Sequence, residues 1–256
     1  MTIVPAQPLD DARVPLPGTE WVALVDSDPI RALAAFVLGW YPAPDGEEDQ
    51  EDVWGGAESP DDGSGGMPEA LGALYRLTRL RPALHGFHAP LERLPRRAAG
   101  PLGERLVFAG DSQSSWDWSV PWPADGTHEA DPAVWMTFDP HRPTADTDAE
   151  VVVEREPLSR FLLQYVLYQT QQAAPFKAWT KVMPTSRLAP LRDVLRPVPL
   201  SPFLPMFTSE SIYVAPGLLA LINADGDEAV AAFGTLDRQT LMPLGEYPFP
   251  WSWFDA

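Results

Sequence analysis

The stretch that decides the fold is EPLSRFLLQYVLYQTQQAA, residues 156–174. Its large apolar side chains recur at helical spacing, at Leu158, Phe161, Leu162, Tyr165 and Tyr168. Residues three and four apart lie on the same face of an α-helix, so this pattern predicts a helix that packs against a core. The region before it has a different period, and the two patterns together indicate a mixed fold.

The region before this helix is predicted to be a β-sheet. In SSWDWSVPW, residues 114–122, the side chains alternate: Trp116, Trp118 and Val120 point one way, and Ser115, Asp117 and Ser119 point the other way. Further short apolar runs lie at 104–110, 133–139 and 149–156. Because no helical pattern separates these runs, we expect an antiparallel meander.

The remaining elements complete an α+β class, with a mainly antiparallel central sheet flanked by helices. Asp28, Pro29 and Gly39 mark a helix start and stop, and residues 67–80 have the pattern of a second helix. Residues 211–234 predict a β-hairpin that turns at NADGD. We expect a core at 1–175, with an acidic mobile loop at about 41–66. A C-terminal extension at 176–256 is expected to pack its hairpin on the same sheet.

Negative charge is the strongest global feature of the chain. Its 256 residues include 36 acidic and 18 basic residues, a net charge of −18. A field of this sign repels nucleic acid and anionic membranes, and it favours a basic protein as partner. The alternative is that the charge serves solubility alone.

The densest acidic segment is DGEEDQED, residues 45–52. We expect it to capture a basic partner, with Trp54 as an anchor, or else to be a solvated loop without a binding role. The residues that would make these contacts are Asp45, Glu47, Glu48, Asp49, Glu51, Asp52 and Trp54.

The sequence favours a cytoplasmic location. It contains no cysteine, which suits a reducing compartment. The N-terminus lacks the basic and apolar regions of a signal peptide, and the longest apolar stretch is too short to span a bilayer.

An order of elements in the first two thirds of the chain is similar to a known family. A helix opens on Met67-Pro68, a strand ends in a polar turn with Asp111 and Gln113, and a strand with Trp116 and Trp118 follows. After these come Asp131, Pro132 and Val134 in a further strand, and then the long apolar helix. This order resembles the SUKH superfamily of bacterial immunity proteins and fungal cell-wall-assembly regulators.

The resemblance covers roughly residues 15–175 and has two departures. Asp111 stands where the family usually has Asn, and Ser114 stands where a glycine often follows the Gln. The resemblance implies a sheet flanked by helices and a binding role. In bacteria that role is usually to neutralise the C-terminal domain of a polymorphic toxin, often a nuclease.

Together, these features predict a non-catalytic immunity protein that occludes the basic active face of a toxin domain. On the sheet, the predicted contacts are Asp111, Gln113, Trp116, Asp117 and Trp118, because tryptophan gives a large contact area at low entropic cost. No metal and no cofactor are expected. A housekeeping scaffold of the same fold, with a different partner, is the first alternative.

A small serine hydrolase is the second alternative. Gly110-Asp111-Ser112 after an apolar strand is similar to the first block of the SGNH hydrolases, and Asp125 and His128 form an Asp-x-x-His. In that family the Asp-x-x-His lies near the C-terminus, whereas here it falls in the next loop of the meander. The family also needs a Gly-x-Asn-Asp block, and Asn223 is the only asparagine in the chain. We therefore expect Ser112 to lie in a turn and to have no catalytic role.

Two other motifs predict turns and loops more than metal sites. His85 and His88 lack a third nearby ligand, although zinc needs three or four. Asp225 and Asp227 lack the spacing of an EF-hand, and a hairpin turn explains them better.

Overall fold

The computed structural model describes residues 16–43, 66–86, 90–111, 113, 115–123, 129–138, 150–203 and 210–255. The α-helices are α1 (Pro29–Trp40), α2 (Glu69–Leu80), α3 (Leu158–Ala173) and α4 (Arg238–Leu241). Short 3-10 helices cover Glu20–Leu24, Pro82–Gly86, Thr185–Asp193 and Met242–Glu246. Among the helices in these ranges, none has the length and apolar character needed to cross a lipid bilayer.

The strands form two antiparallel sheets. The first sheet contains β1 (Leu91–Gly100), β2 (Gly103–Gly110), β3 (Trp116–Pro121), β4 (Ala133–Phe138) and β5 (Val151–Pro157). The second contains β6 (Phe176–Thr180), β7 (Met183–Pro184), β8 (Arg196–Pro197), β9 (Glu210–Ala215), β10 (Leu218–Asp225), β11 (Glu228–Thr235) and β12 (Trp251–Phe254). The predicted α+β class with antiparallel pairing is thereby confirmed.

Helix α3 is enclosed on more than the one face that its spacing predicted. The predicted face is buried at Phe161 and Tyr165, and Leu163 and Leu167 on other sides of the helix are buried as well. Helices α1 and α2, strands β4 and β5, and strands β10 and β11 all contact it. A helix that is buried on several sides must be covered on each of them, so this helix sets the positions of the elements around it.

The start of α3 is stabilised by a residue distant in sequence. Pro157 precedes the helix and has no polar side chain to cap it. Asp131 does so instead: its carboxylate accepts hydrogen bonds from the backbone N–H of Ser159 at 2.8 Å and from the Ser159 hydroxyl at 2.7 Å. A carboxylate at a helix N-terminus satisfies free N–H groups and interacts favourably with the helix dipole. Asp131 therefore links the segment before β4 to α3.

The first sheet runs in chain order, β1-β2-β3-β4-β5. The meander predicted from the four apolar runs corresponds to β2, β3, β4 and β5. Strand β1 did not stand out in the sequence, because Pro95 interrupts it and its side chains do not alternate between apolar and polar. Its register with β2 shifts between Leu91 and Arg96, and proline and irregular register are typical of an edge strand.

The C-terminal strands form a sheet of their own, in the order β12-β6-β11-β10-β9-β8, with β7 paired to β11. The predicted turn at NADGD is present, with Gly226 at φ 56° between β10 and β11. A further turn, with Gly217 at φ 68°, joins β9 to β10. Residues 176–256 were expected to pack their hairpin on the first sheet. The hairpin strands β10 and β11 lie in the second sheet, and both contact α3.

Each face of the second sheet covers a separate apolar core. On the α3 side, Ile212, Val214 and Leu221 join the same core as Phe108 and Trp118 of the first sheet. The outer face covers a smaller core with Phe233, Leu241 and Leu244. The two predicted parts of the chain therefore share one core through α3.

The close approach of β11 to α3 gives a test of this packing. A Cβ atom on Gly234 would lie 2.8 Å from the carbonyl oxygen of Gln171 and 2.9 Å from the Cβ of Ala174. We expect Gly234→Ala to lower the free energy of unfolding by about 1–3 kcal/mol, because the backbone must shift to relieve the contact. Urea denaturation followed by circular dichroism measures this change.

Gly39→Ala is the matched control. Nothing lies within 4 Å of a Cβ at Gly39, which is within α1. Alanine should therefore stabilise the helix by about 0.5–1 kcal/mol. Equal stability of the two variants would contradict the tight contact between β11 and α3.

Candidate functional site

The acidic segment predicted to bind a partner lies outside the described residues. This applies to Asp45, Glu47, Glu48, Asp49, Glu51, Asp52 and Trp54, and also to Ser112, Asp125, His88 and His128. The described residues include 21 acidic and 16 basic ones, a net charge of −5 out of the −18 of the whole chain. Most of the excess negative charge thus belongs to segments other than those that build the two sheets.

One end of the first sheet brings together three of the predicted contact residues, Asp111, Gln113 and Trp116. The backbone N–H of Asp111 donates to the carbonyl of Trp116 at 3.0 Å, which closes the β2–β3 turn. Gln113 is exposed at this turn, and Asp111 and Trp116 are half-buried. These three residues therefore lie close together at one end of the sheet.

Phe138 and Glu150 extend this surface and were not predicted. Phe138 is directly opposite Trp116 in the β3–β4 ladder, and its N–H donates to the carbonyl of Glu150 at 3.1 Å. Phe138 is half-buried and Glu150 is exposed. We call Asp111, Gln113, Trp116, Phe138 and Glu150 the acidic edge. Its two carboxylates, one amide and two aromatic rings are suited to a basic, partly apolar protein surface.

Trp118 lies in the core and is unavailable as a partner contact. Only 4% of its surface is exposed, and its ring packs against Phe161 and Tyr165 of α3. Its indole N–H donates to Glu154 at 3.1 Å, which fixes the ring. The ring of Trp116 lies 4.5 Å from that of Trp118, measured between centroids. The buried ring of Trp118 therefore packs against the half-buried ring of Trp116.

Asp117 is also buried, on the opposite face of the sheet. It forms an ion pair with Arg105, which is equally buried, and its second oxygen lies 3.5 Å from a guanidinium nitrogen of Arg96. Arg105 also donates to the hydroxyl of Thr137 at 3.0 Å. The carboxylate is held inside the protein by charged partners, so Asp117 has a structural role rather than the predicted contact role.

A second buried carboxylate, Glu156, joins three segments of the chain. It accepts hydrogen bonds from Arg160 and from the N–H of Ser201, each at 2.5 Å. Arg160 also donates to Asp26 at 2.7 Å. Burial by itself opposes ionisation of Glu156, but the hydrogen bonds from Arg160 and Ser201 outweigh it and lower its pKa. Glu156 is therefore a charged structural link between β5, α3 and the segment after β8.

Glu210, at the start of β9, has no comparable partner among the residues that the structure describes. Burial raises the pKa of its carboxyl to about 7, from an ordinary value of 4.5. It lies close enough to Tyr168 of α3 that its charge, after burial, helps to raise the pKa of that phenol to about 12. The ring of Tyr168 packs edge-on against Phe203, at 5.6 Å between centroids. No sequence pattern predicted this pair, because the two residues are 42 positions apart and on different elements.

Within the described ranges, no group of three or more potential metal ligands lies close together. Asp225 and Asp227 flank the Gly226 turn and are exposed, as a hairpin tip requires. His85 belongs to the 3-10 helix Pro82–Gly86.

Asp117 and Asp111 differ in burial, so their substitution should affect stability differently. We expect Asp117→Ala to lower the free energy of unfolding by about 3–5 kcal/mol, because it leaves the Arg105 charge buried without its partner. Asp111→Ala should change it by no more than about 0.5 kcal/mol, since the Asp111 side chain has no comparable buried partner among the described residues. Chemical denaturation measures both, and a similar effect for the two would contradict this assignment.

The raised pKa of Glu210 predicts how stability depends on pH. The folded state holds the proton up to about pH 7, whereas the unfolded state loses it near pH 4.5. Stability should therefore fall as the pH rises from 5 to 8, because only the folded state must then ionise a buried group. Glu210→Gln should remove the part of this pH dependence that comes from Glu210. The difference in unfolding free energy between wild type and variant should therefore change by about 1–3 kcal/mol between pH 5 and pH 8. Parallel pH profiles for the two proteins would contradict the prediction.

No family model matches this chain. No curated protein matches it, and neither does a solved structure. The resemblance to the SUKH superfamily stays a prediction that depends on the order of elements and on the residues quoted for it.

Proposed function

We propose that this protein is a non-catalytic acidic binding protein, an immunity protein of SUKH type. It captures a basic toxin domain, of which a nuclease is the favoured kind, and occludes the active face of that domain. The observation that carries this proposal is the acidic edge. There, two carboxylates and an exposed amide surround two half-buried aromatic rings at one end of the first sheet.

The chemistry of the edge supports a basic partner. Asp111 and Glu150 supply negative charge, and all five residues of the edge are acidic, amide or aromatic. Opposite charges across an interface mainly speed association, and the net charge of −18 adds a long-range attraction for a cationic surface. A toxin that binds nucleic acid needs such a cationic surface. The acidic edge would therefore attract the nucleic-acid-binding face of the toxin and cover it.

The aromatic rings supply a rigid contact. The ring of Trp116 lies 4.5 Å from that of Trp118, and Phe138 is directly opposite Trp116 on the neighbouring strand. A half-buried tryptophan with a fixed ring loses little conformational entropy on binding, and such residues dominate the energy of protein interfaces. We therefore assign the capture rate to the charges and the lifetime of the complex to Trp116.

The buried polar residues also support a binding role over catalysis. Asp117, Glu154 and Glu156 each hold a structural partner: Arg105, the indole of Trp118, and Arg160. A general base needs access to a substrate proton, and these carboxylates are turned inward. Asp131, which carries part of the family resemblance, caps α3.

The test uses the toxin domain that the proposal predicts to be encoded beside this chain, expressed together with this protein in bacterial cells. We expect the wild-type protein to restore growth and to bind the purified domain. Trp116→Ala should raise the dissociation rate by roughly 10-fold or more, because it removes the central ring of the edge. Neutralising Asp111 and Glu150, as Asp111→Asn with Glu150→Gln, should slow association at low salt and leave dissociation nearly unchanged.

Trp253→Ala is the matched control. Trp253 is exposed on β12 in the second sheet, away from the acidic edge, so both rates should stay at wild-type values. No rescue by the wild-type protein, or equal effects of Trp116→Ala and Trp253→Ala, would contradict the proposal. Turnover of a model ester that Ser112→Ala abolishes would favour the hydrolase instead.

A further inference from the structure

A pocket of about 250 Å³ lies on the outer face of the second sheet. The 3-10 helix Thr185–Asp193 forms one wall, and strands β9 and β10 form the other. This face is turned away from α3 and from the first sheet, so the pocket is separate from the acidic edge. Nothing in the proposed function uses it.

The inner part of the pocket is apolar. Leu191, Leu195 and Ile222 belong to the core on this face of the sheet, and Leu188 packs against the same core. These four side chains provide a water-excluding surface for a hydrocarbon group. A ligand without an apolar part would leave this surface unused.

The pocket lining also carries four polar side chains. Arg192 contributes a guanidinium, and Thr185, Ser211 and Tyr213 contribute hydroxyls. In the part of the chain that the structure describes, none of these four side chains makes a hydrogen bond or an ion pair. Arg192 is exposed, so it is free to bind a carboxylate with two parallel hydrogen bonds.

Local charge also favours an anion. Residues 176–203, which include the first wall, have five basic residues and one acidic residue in a chain of strong negative charge. The acidic residues at the nearby hairpin tip, Asp225, Asp227 and Glu228, are exposed and do not line the pocket. Arg192 is the one charged residue among the described residues that line the pocket, so it sets the sign of the charge at the lining.

We infer that this pocket binds a small amphipathic monocarboxylate. Arg192 would hold the carboxylate, a hydroxyl of Thr185, Ser211 or Tyr213 would donate a further hydrogen bond, and the leucines would cover the apolar chain. The volume equals roughly eight water molecules at about 30 Å³ each, which suits a ligand of about ten non-hydrogen atoms. An eight-carbon fatty acid has this size.

Octanoate is the probe, and methyl NMR spectra of the leucine and isoleucine side chains are the readout. We expect the methyl signals of Leu188, Leu191 and Ile222 to shift with a dissociation constant on the order of 0.1–1 mM, as a ligand of this size allows. Octanol and octylammonium, which have the same chain with no charge or the opposite charge, should bind at least 5-fold more weakly.

Two arginine variants complete the experiment. Arg192→Gln should weaken octanoate binding by about 10-fold, because it removes the charged hydrogen bonds. Arg196→Gln is the matched control, since Arg196 is exposed on β8 and does not line the pocket; its affinity should be that of wild type. The inference is overturned if octanoate shifts none of these methyls at 5 mM, if octanol or octylammonium binds equally well, or if the two variants bind alike.

Discussion

The enclosure of α3 is the constraint on which the rest of the structure depends. Its residues are buried on all sides, and hydrophobic burial of this kind requires a cover on every side. Two helices and two sheets supply that cover. Gly234 permits the close approach of β11, and Asp131 caps the first turn from the segment before β4. Both residues stabilise the packed position of α3, because the elements around the helix leave no space for it to shift.

Buried charge in this protein organises the framework, and exposed charge carries the proposed recognition role. Asp117 and Glu156 each form an ion pair with an arginine, and leaving the fully buried Arg105 without its carboxylate would cost several kcal/mol. Among the described residues, Asp111 and Glu150 at the acidic edge have no such internal partner. Burial therefore distinguishes the structural carboxylates from those proposed to contact a partner.

The two candidate sites differ in place and in chemistry. The acidic edge lies at one end of the first sheet, within the region that resembles the SUKH superfamily. Its proposed partner is a large basic protein. The pocket lies on the outer face of the second sheet, where Arg192 favours a small anion. The two proposed sites lie on different sheets, so the variants of Trp116 and Arg192 can test them separately.

Sequence alone determined the type of most elements and the first residues of the acidic edge. Helical spacing identified α3, alternation identified β3, and Asp28 was correctly assigned as a helix cap. Alternation also placed Asp117 and Trp118 on opposite faces of β3, but it could not show that both faces are covered. Only the tertiary structure decided that both side chains are buried, that β6–β12 form a second sheet, and that Phe138 and Glu150 join Trp116. These outcomes depend on strand register and on packing between distant segments, and local sequence periodicity carries no information about either.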